Sequence, residues 1–230
     1  MAYSDQRILE ALKAGDIVIS PFRRDNLGTA SYDVTLGEWY YRESRTSLPV
    51  YNIYNRKHIE RVWGPKPHRA QPASRALAGY DLEELGVNPN DKVILLEPGE
   101  TILAHTEEFI GGLRHITTMM KARSSYGRSF IEVCKCAGWG DVGYINRWTM
   151  EITNNSRHYT IPLIVGRRIA QIVFFETGPI LKDDYARNGK YAAANDLAAL
   201  KRQWKPEMML PRLWADREVS QPRQENPRHR

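Results

Sequence analysis

Cysteine is scarce in this sequence. Its 230 residues include only two, Cys134 and Cys136. Because they are one residue apart, they would point the same way from a strand and make poor disulfide partners. So few thiols exclude the disulfide-stapled scaffolds of small secreted proteins. We therefore expect the protein to act in the cytoplasm or an equivalent reducing compartment.

Long apolar runs are also lacking. The opening MAYSDQRILE has no apolar core of the signal-peptide kind, and runs such as IAQIVFF are far too short to cross a bilayer. GxGxxG is absent, and strands do not alternate with helices as they do in a Rossmann sheet. We therefore expect no membrane partner and no dinucleotide-binding domain.

The charge balance is positive but not concentrated. The formal net charge is +6, with 26% charged and 42% hydrophobic residues, which is ordinary for a globular protein. Such a balance suits a polyanionic nucleotide as well as nucleic acid, so charge alone does not choose between them. The motifs described below favour a nucleotide and not nucleic acid.

The hydrophobic pattern predicts a mainly-β protein. Ser4 can cap a helix that Gly15 ends. Short strands with alternating or apolar patterns follow at 17–19, 31–36 (with Gly37 at its end), 92–97, 101–105, 116–121, 130–136, 148–153, 160–165 and 168–175. Pro98-Gly99 suits a tight turn between two of them. Regularly spaced short strands indicate a β-barrel or sandwich.

The remaining segments complete one domain over residues 1–215. Residues 42–90 predict an irregular insertion with one short helix near 81–85, and residues 177–215 predict a C-terminal arm with a helix around Leu200. The polar, charged stretch 216–230 is expected to be disordered.

Three kinds of chemistry meet between residues 121 and 151. Arg123-Ser124-Ser125, followed by Arg128, offers guanidinium and hydroxyl donors suited to phosphate oxygens. A Gly-rich turn then carries Asp141. Further on, Glu151 lies in a strand whose alternation places Trp148 and Met150 on the opposite face. Phosphate donors followed by two carboxylates predict a nucleotide enzyme.

These residues carry a family resemblance. ARSSYGR, then AGWGD, a Glu ten residues past that Asp, and GRRIAQIVFF resemble the deoxycytidine triphosphate (dCTP) deaminases of the dUTPase-like superfamily. ILEALKAGDIVISPF and ASYDVTLGEWYYRE also resemble that family's opening. The resemblance spans most of residues 7–191. It implies a distorted, jelly-roll-like β-barrel with short helices, assembled as a homotrimer with active sites shared between subunits.

The resemblance also implies roles for individual residues. Glu151 would be the general acid and base that adds water at C4 of cytosine, without zinc. Arg123, Ser124 and Ser125 would contact the triphosphate, with Ser124 and Arg128 also placing the water and the base. Surface ion pairing by the arginines with a serine helix cap, and a solvated Glu151, are the structural alternatives.

Asp141 corresponds to the carboxylate that activates water against the α-phosphorus in dUTPases. Gly140 stands where the family has an aliphatic residue, and Val142 replaces proline, so a turn-holding or sugar-positioning role stays open. The loop residues Ala137 and Trp139 would line the substrate site, and the resemblance implies dTTP as an inhibitor there.

Three further positions match the family. Gln171 is a ligand contact or a sheet-buttressing amide, and we favour the contact. Tyr185 and Lys190 match an arm that folds over the sugar and phosphates. The arm's expected glutamine, however, is Ala194 here, with Asn195 beside it.

A zinc route is the main chemical rival. Zinc deaminases carry HxE followed by PCxxC. His58-Ile59-Glu60 and His105-Thr106-Glu107 occur, but Cys134-Lys135-Cys136 has the wrong spacing and no preceding proline. We therefore expect Mg²⁺, bound through the triphosphate, and no zinc.

The predicted reaction is hydrolysis of dCTP to dUTP and ammonia. The alternatives are a bifunctional dCTP deaminase and dUTP diphosphatase, which gives dUMP and pyrophosphate, and a non-catalytic nucleotide-binding module of the same fold. A pure dUTPase is disfavoured because its Gly-rich C-terminal motif is missing; Gly189 is the last glycine.

Overall fold

The computed structural model describes residues 1–181 and 197–220. Its strands are β1 Ile17–Ser20, β2 Tyr32–Arg42, β3 His68–Arg69, β4 Gln71–Pro72, β5 Lys92–Leu96, β6 Thr101–Gly112, β7 Ile116–Ala122, β8 Ile131–Val133, β9 Trp139–Gly140, β10 Ile145–Asn154, β11 Ile161–Ile164 and β12 Arg168–Glu176. The α-helices are α1 Asp5–Ala14, α2 Arg56–Trp63, α3 Ala73–Ala76, α4 Ser124–Arg128, α5 Leu197–Gln203 and α6 Arg217–Ser220. Short 3₁₀ turns lie at Arg24–Asn26, Pro206–Met209 and Leu213–Ala215.

The strands form two antiparallel sheets. The large sheet has nine strands in the order β8-β10-β6-β2-β12-β7-β9, with β1 also pairing with β6 and β3 with β2. The small sheet has the order β11-β5-β4. The prediction of a mainly-β fold with short helices is therefore confirmed. No helix among the described residues is long and apolar enough to cross a membrane.

Helix α1 begins and ends as its sequence predicts. The Ser4 hydroxyl accepts a hydrogen bond from the Arg7 amide at 3.3 Å, and Gly15 ends the helix with φ 74°. That left-handed conformation suits glycine because it has no Cβ.

Strand β10 shows why alternation predicts burial. Trp148 and Met150 are 4% and 0% exposed and join the main apolar core, while Thr149 and Glu151 on the other face are only partly buried. A β-bulge between Arg147 and Thr149 shifts the register against β6. One face of β10 thus packs in the core, and the other face carries the polar side chains.

The prediction that a strand ends at Gly37 is wrong. Strand β2 continues to Arg42, and Gly37 lies buried inside it. A Cβ at this position would overlap the imidazole ring of His105 on the neighbouring strand β6. The glycine is there for close packing between strands and not for a turn.

The region 42–90 is more ordered than predicted. It contains α2, β3, β4 and α3, whereas the helix expected at 81–85 is absent. The chain turns there instead, with the Asp81 carboxylate accepting hydrogen bonds from the amides of Glu83 and Glu84. These bonds resemble those of a helix N-cap, but the chain reverses at Gly86, which has φ 62°, before a helix can continue.

The tight turn predicted at Pro98-Gly99 is present, because the Glu100 amide donates a hydrogen bond to the Glu97 carbonyl at 3.1 Å. It joins strands of different sheets, since β5 lies in the small sheet and β6 in the large one. One other strand prediction needs correction. The strand predicted to reach Cys136 ends at Val133. Cys134 and Cys136 then take positive φ angles of 70° and 74°, and the first thiol is buried while the second is exposed.

Candidate active site

Glu151 and Asp141 line one cavity. Glu151 lies on β10 directly opposite Leu103 of β6, and Asp141 follows β9 in a loop. The cavity has a volume of about 600 Å³, and Ala137 and Trp139 contribute to the same wall. The structure therefore brings together four residues that the sequence analysis assigned to the site.

The environment of Glu151 is suited to proton transfer. Burial raises the pKa of its carboxyl group above the ordinary value, and the positive charge of Lys135 lowers it by a smaller amount. The Cys134 amide donates a hydrogen bond to the Glu151 backbone carbonyl at 3.0 Å, which ties the Cys134–Trp139 loop to β10. A carboxyl group with a raised pKa holds its proton to higher pH than usual, which suits a group that must both give and take protons.

The loop that carries Asp141 is packed tightly. The Asp141 carbonyl accepts a hydrogen bond from the Tyr144 amide at 3.0 Å, and the side chain itself is exposed to the cavity. A Cβ at Gly140 would overlap the Thr118 hydroxyl and the Trp148 ring. This close packing explains why glycine, and not an aliphatic residue, precedes the acid.

The phosphate-type donors form a second group around α4. Arg123 precedes this helix, and Ser124, Ser125 and Arg128 are exposed on it. The Arg123 Nε lies 3.3 Å from a carboxylate oxygen of Asp33.

Asp33 is the residue of this group that sequence reasoning left without a role. Its carboxylate also lies 3.2 Å from a terminal guanidinium nitrogen of Arg168. On the same sheet Gln171 of β12 pairs with Asp33 on one side and Lys121 on the other. Asp33 therefore holds Arg123 and Arg168 by ion pairs beside Gln171. The hydroxyl groups of Ser124 and Ser125 on α4 remain exposed.

The two groups do not share a cavity within one chain. In the part of the chain that the structure describes, neither residues 123–128 nor Gln171 line the space around Glu151 and Asp141. Tyr185 and Lys190 lie outside the described residues.

Sequence reasoning missed several residues of the cavity. The cavity is also lined by Trp63 on α2 and by residues that follow α5, namely Trp204, Met208, Met209 and Pro211. An amphipathic pattern around Leu200 predicted the helix, but no local signal shows where the chain after it docks.

The string His105-Thr106-Glu107 has a structural explanation. The His105 Nδ1 lies 2.8 Å from the Thr106 carbonyl oxygen, and the Trp39 amide donates to its Nε2 at 3.3 Å. Burial lowers the pKa of His105 to about 4, so the ring is neutral. Both ring nitrogens are thus engaged inside the sheet. Among the described residues, no group of three or more His, Cys, Asp or Glu side chains is arranged to hold a metal ion.

Known proteins match this chain in structure and in sequence. The crystal structure of 2′-deoxycytidine 5′-triphosphate deaminase from Agrobacterium tumefaciens matches with a TM-score of 0.51 at 18% identity, covering 75% of this chain but only 47% of that one. This likeness concerns the fold alone.

Curated relatives are more similar in sequence. Proteins named "dCTP deaminase, dUMP-forming" from Nanoarchaeum equitans and Methanopyrus kandleri are 28% and 30% identical over 197 and 194 residues. These alignments cover 83% and 82% of this chain and 92% and 89% of the relatives. The prediction from the sequence that the reaction ends at dUTP is wrong, because these relatives are named dUMP-forming. Their name favours the bifunctional alternative.

The family model described as dCTP deaminase-like matches residues 2–177. This match spans well over half of the sequence and includes both carboxylates of the cavity and the α4 donors. The chain belongs to the dCTP deaminase-like family.

Proposed function

We propose that this protein converts dCTP and two waters into dUMP, ammonia and pyrophosphate. The observation that carries the proposal is the single cavity lined by Glu151 and Asp141, because each of the two hydrolyses needs its own carboxylate. The relatives named as dUMP-forming dCTP deaminases support the same products.

Glu151 performs the deamination. It takes a proton from a water whose oxygen bonds to C4 of cytosine, and it passes protons to the ring nitrogen and to the departing amine. The C4–N bond then breaks and ammonia leaves. The raised pKa of Glu151 supports this double role, and the engagement of both His105 nitrogens elsewhere supports a route without zinc.

Asp141 performs the second hydrolysis. Its carboxylate activates a water that attacks the α-phosphorus of the dUTP intermediate, and the bond from that phosphorus to the bridging oxygen breaks to release pyrophosphate. The exposed side chain at the cavity wall and the tightly packed backbone beneath it support this placement. A rigid backbone holds a reacting group close to the geometry that the reaction needs.

The α4 donors belong to the site of a neighbouring subunit. We infer a homotrimer in which Arg123, Ser124, Ser125 and Arg128 of one subunit meet the triphosphate bound in the cavity of the next. The support is that Ser124, Ser125 and Arg128 are exposed, Arg123 is half-buried, and all four lie outside the Glu151 cavity of their own chain. Gln171, Tyr185 and Lys190 complete the proposed nucleotide contacts.

We propose that Mg²⁺ binds to the triphosphate and enters the site together with the nucleotide. Mg²⁺ keeps several waters and commonly needs only one or two protein carboxylates besides substrate phosphates. We assign the ion to the triphosphate and give it no protein ligand, because Glu151 and Asp141 in the cavity are the groups that move protons. When bound, the ion neutralises phosphate charge; the chain's own residues bind the nucleotide and move the protons.

Two finer proposals follow from the same site. dTTP would compete with the substrate, because the Ala137–Trp139 loop lines the cavity beside Glu151. The cytoplasm is the proposed location, a choice supported by two free cysteines.

Product analysis with dCTP, dCMP and dUTP tests the function. We expect ammonia, dUMP and pyrophosphate from dCTP, dUMP and pyrophosphate from dUTP, and no turnover of dCMP. The absence of all products would indicate a nucleotide-binding module and would refute the proposal.

A further inference from the structure

The cavity around Glu151 has a wall that the family match does not include. Trp204, Met208, Met209 and Pro211 line the cavity, and we name residues 204–211 the C-terminal wall. The match to the dCTP deaminase-like family ends at residue 177. This wall therefore lies beyond the part of the chain that the family model matches, and it lines the same cavity as the two carboxylates.

Aromatic and cationic contacts hold the start of the wall. The Trp204 ring lies 4.6 Å from the His105 ring, between centroids, and the Arg147 guanidinium carbon lies 4.7 Å from the Trp204 centroid. Arg147 also lies 5.1 Å above the Phe109 ring. A cation over an aromatic face is worth about 0.5–2 kcal/mol, with the larger values in desolvated places.

Apolar packing places the rest of the wall beside the carboxyl group. Met209 is 4% exposed and packs with Tyr41 and Leu103 in a separate apolar cluster. Leu103 is the cross-strand neighbour of Glu151. Met209 thus packs in one cluster with the cross-strand neighbour of Glu151.

Region 42–90 supports the wall from outside. Trp63, the last residue of α2, lines the cavity and packs against the same cluster, as does Leu210. A stretch that looks like an insertion in sequence therefore has a structural use, because it closes the cavity together with the C-terminal wall.

We propose that the C-terminal wall is a positioning element of the same chain, which shields Glu151 from solvent and shapes the cavity around the pyrimidine end of the nucleotide. This inference rests on the proposed function. In this proposal the wall stays in place during catalysis. The alternative is a segment that blocks the cavity and must move away before the substrate binds.

Trp204→Ala tests the proposal. Opening the wall hydrates Glu151, so we expect the pKa of its carboxyl group to fall and the acid limb of the kcat/KM profile to move to lower pH. Lys135, Asp141 and Arg147 also face the cavity with charge, and Cys134 lies close by, but all four remain in the variant. Loose positioning should also lower kcat/KM for dCTP, by up to about 10²-fold.

Two matched variants isolate the wall. Trp204→Phe keeps an aromatic ring against His105 and Arg147 and should restore most of the activity and the wild-type pH profile. Trp214→Ala removes the same side chain outside the cavity, where Arg56 lies 5.3 Å from the Trp214 ring centroid, and should leave both unchanged. If Trp204→Ala does not fold, Met208→Ala carries the same expectation.

A titration of ¹³C-labelled glutamate by NMR, with Glu151→Gln to assign the signal, reads the carboxyl group without any turnover. The inference is overturned if the Glu151 carboxyl group titrates at the same pH in wild type and in Trp204→Ala, or if Trp204→Ala has increased activity. Wild-type protein that releases no ammonia overturns the proposed function instead, while a downward shift of the Glu151 titration in the variants would still establish the shielding.

Discussion

Replacing Glu151 with glutamine should stop deamination while preserving nucleotide binding. Glutamine keeps the shape of the side chain in the half-buried site on β10 but can no longer exchange protons. General acid–base catalysis is worth about 10²–10⁴-fold in rate. At about 1.36 kcal/mol for each tenfold change, the barrier should rise by roughly 2.7–5.4 kcal/mol. The loss should fall on kcat, with KM for dCTP nearly unchanged.

The assay follows ammonia release from dCTP under saturating and limiting substrate, alongside direct measurement of nucleotide binding. Glu132→Gln on the neighbouring strand β8 is the matched control, because it makes the same chemical change outside the cavity. A Glu151→Gln variant that releases ammonia within a fewfold of the wild-type rate would remove Glu151 from its proposed role.

Three other predictions concern the same region. Asp141→Asn should abolish pyrophosphate release and leave ammonia release intact, so that dUTP accumulates; a joint loss of both activities would show that Asp141 has a structural or shared role. Gly37→Ala should destabilise the fold by about 1–3 kcal/mol, since a Cβ overlaps His105, and chemical denaturation would reveal no change if this packing argument fails. The folded-state pKa of Glu151 is raised, so folding favours the protonated carboxyl group. The stability that comes from this preference is fully present below the unfolded-state pKa and is lost as pH rises through the folded-state pKa. Glu151→Gln should therefore raise the melting temperature relative to wild type at pH 7 but not at pH 4, and an equal difference at both pH values would contradict this.

The sequence predicts best those elements whose causes lie close together in the chain. Ser4 and Gly15 determine the ends of α1 through contacts within a few residues. Alternation along β10 places Glu151 on the face opposite Trp148 and Met150 because the strand period is fixed. The mainly-β class follows from many such short patterns.

The errors concern residues whose conformation depends on distant parts of the chain. In the sequence Gly37 looks like a strand end, whereas in the structure it allows close packing against His105. The sequence shows no partner for Asp33, whereas in the structure Arg123 and Arg168 form ion pairs with it. The turn at Cys134 likewise interrupts a pattern that looks regular in sequence.

The site divides in the same way. A motif places Asp141 and Glu151 ten residues apart, so their common cavity could be expected from the sequence. The docking of Trp204 and Met209 could not, because side-chain packing between α5, β6 and α2 has no local signature.

The ratio of products formed from dCTP tests the central claim most directly. With purified protein, Mg²⁺ and a zinc-selective chelator, ammonia, pyrophosphate and dUMP should appear in equal amounts throughout the time course. Ammonia accompanied by accumulating dUTP, or ammonia release that stops with the chelator and returns with added zinc, would contradict the account.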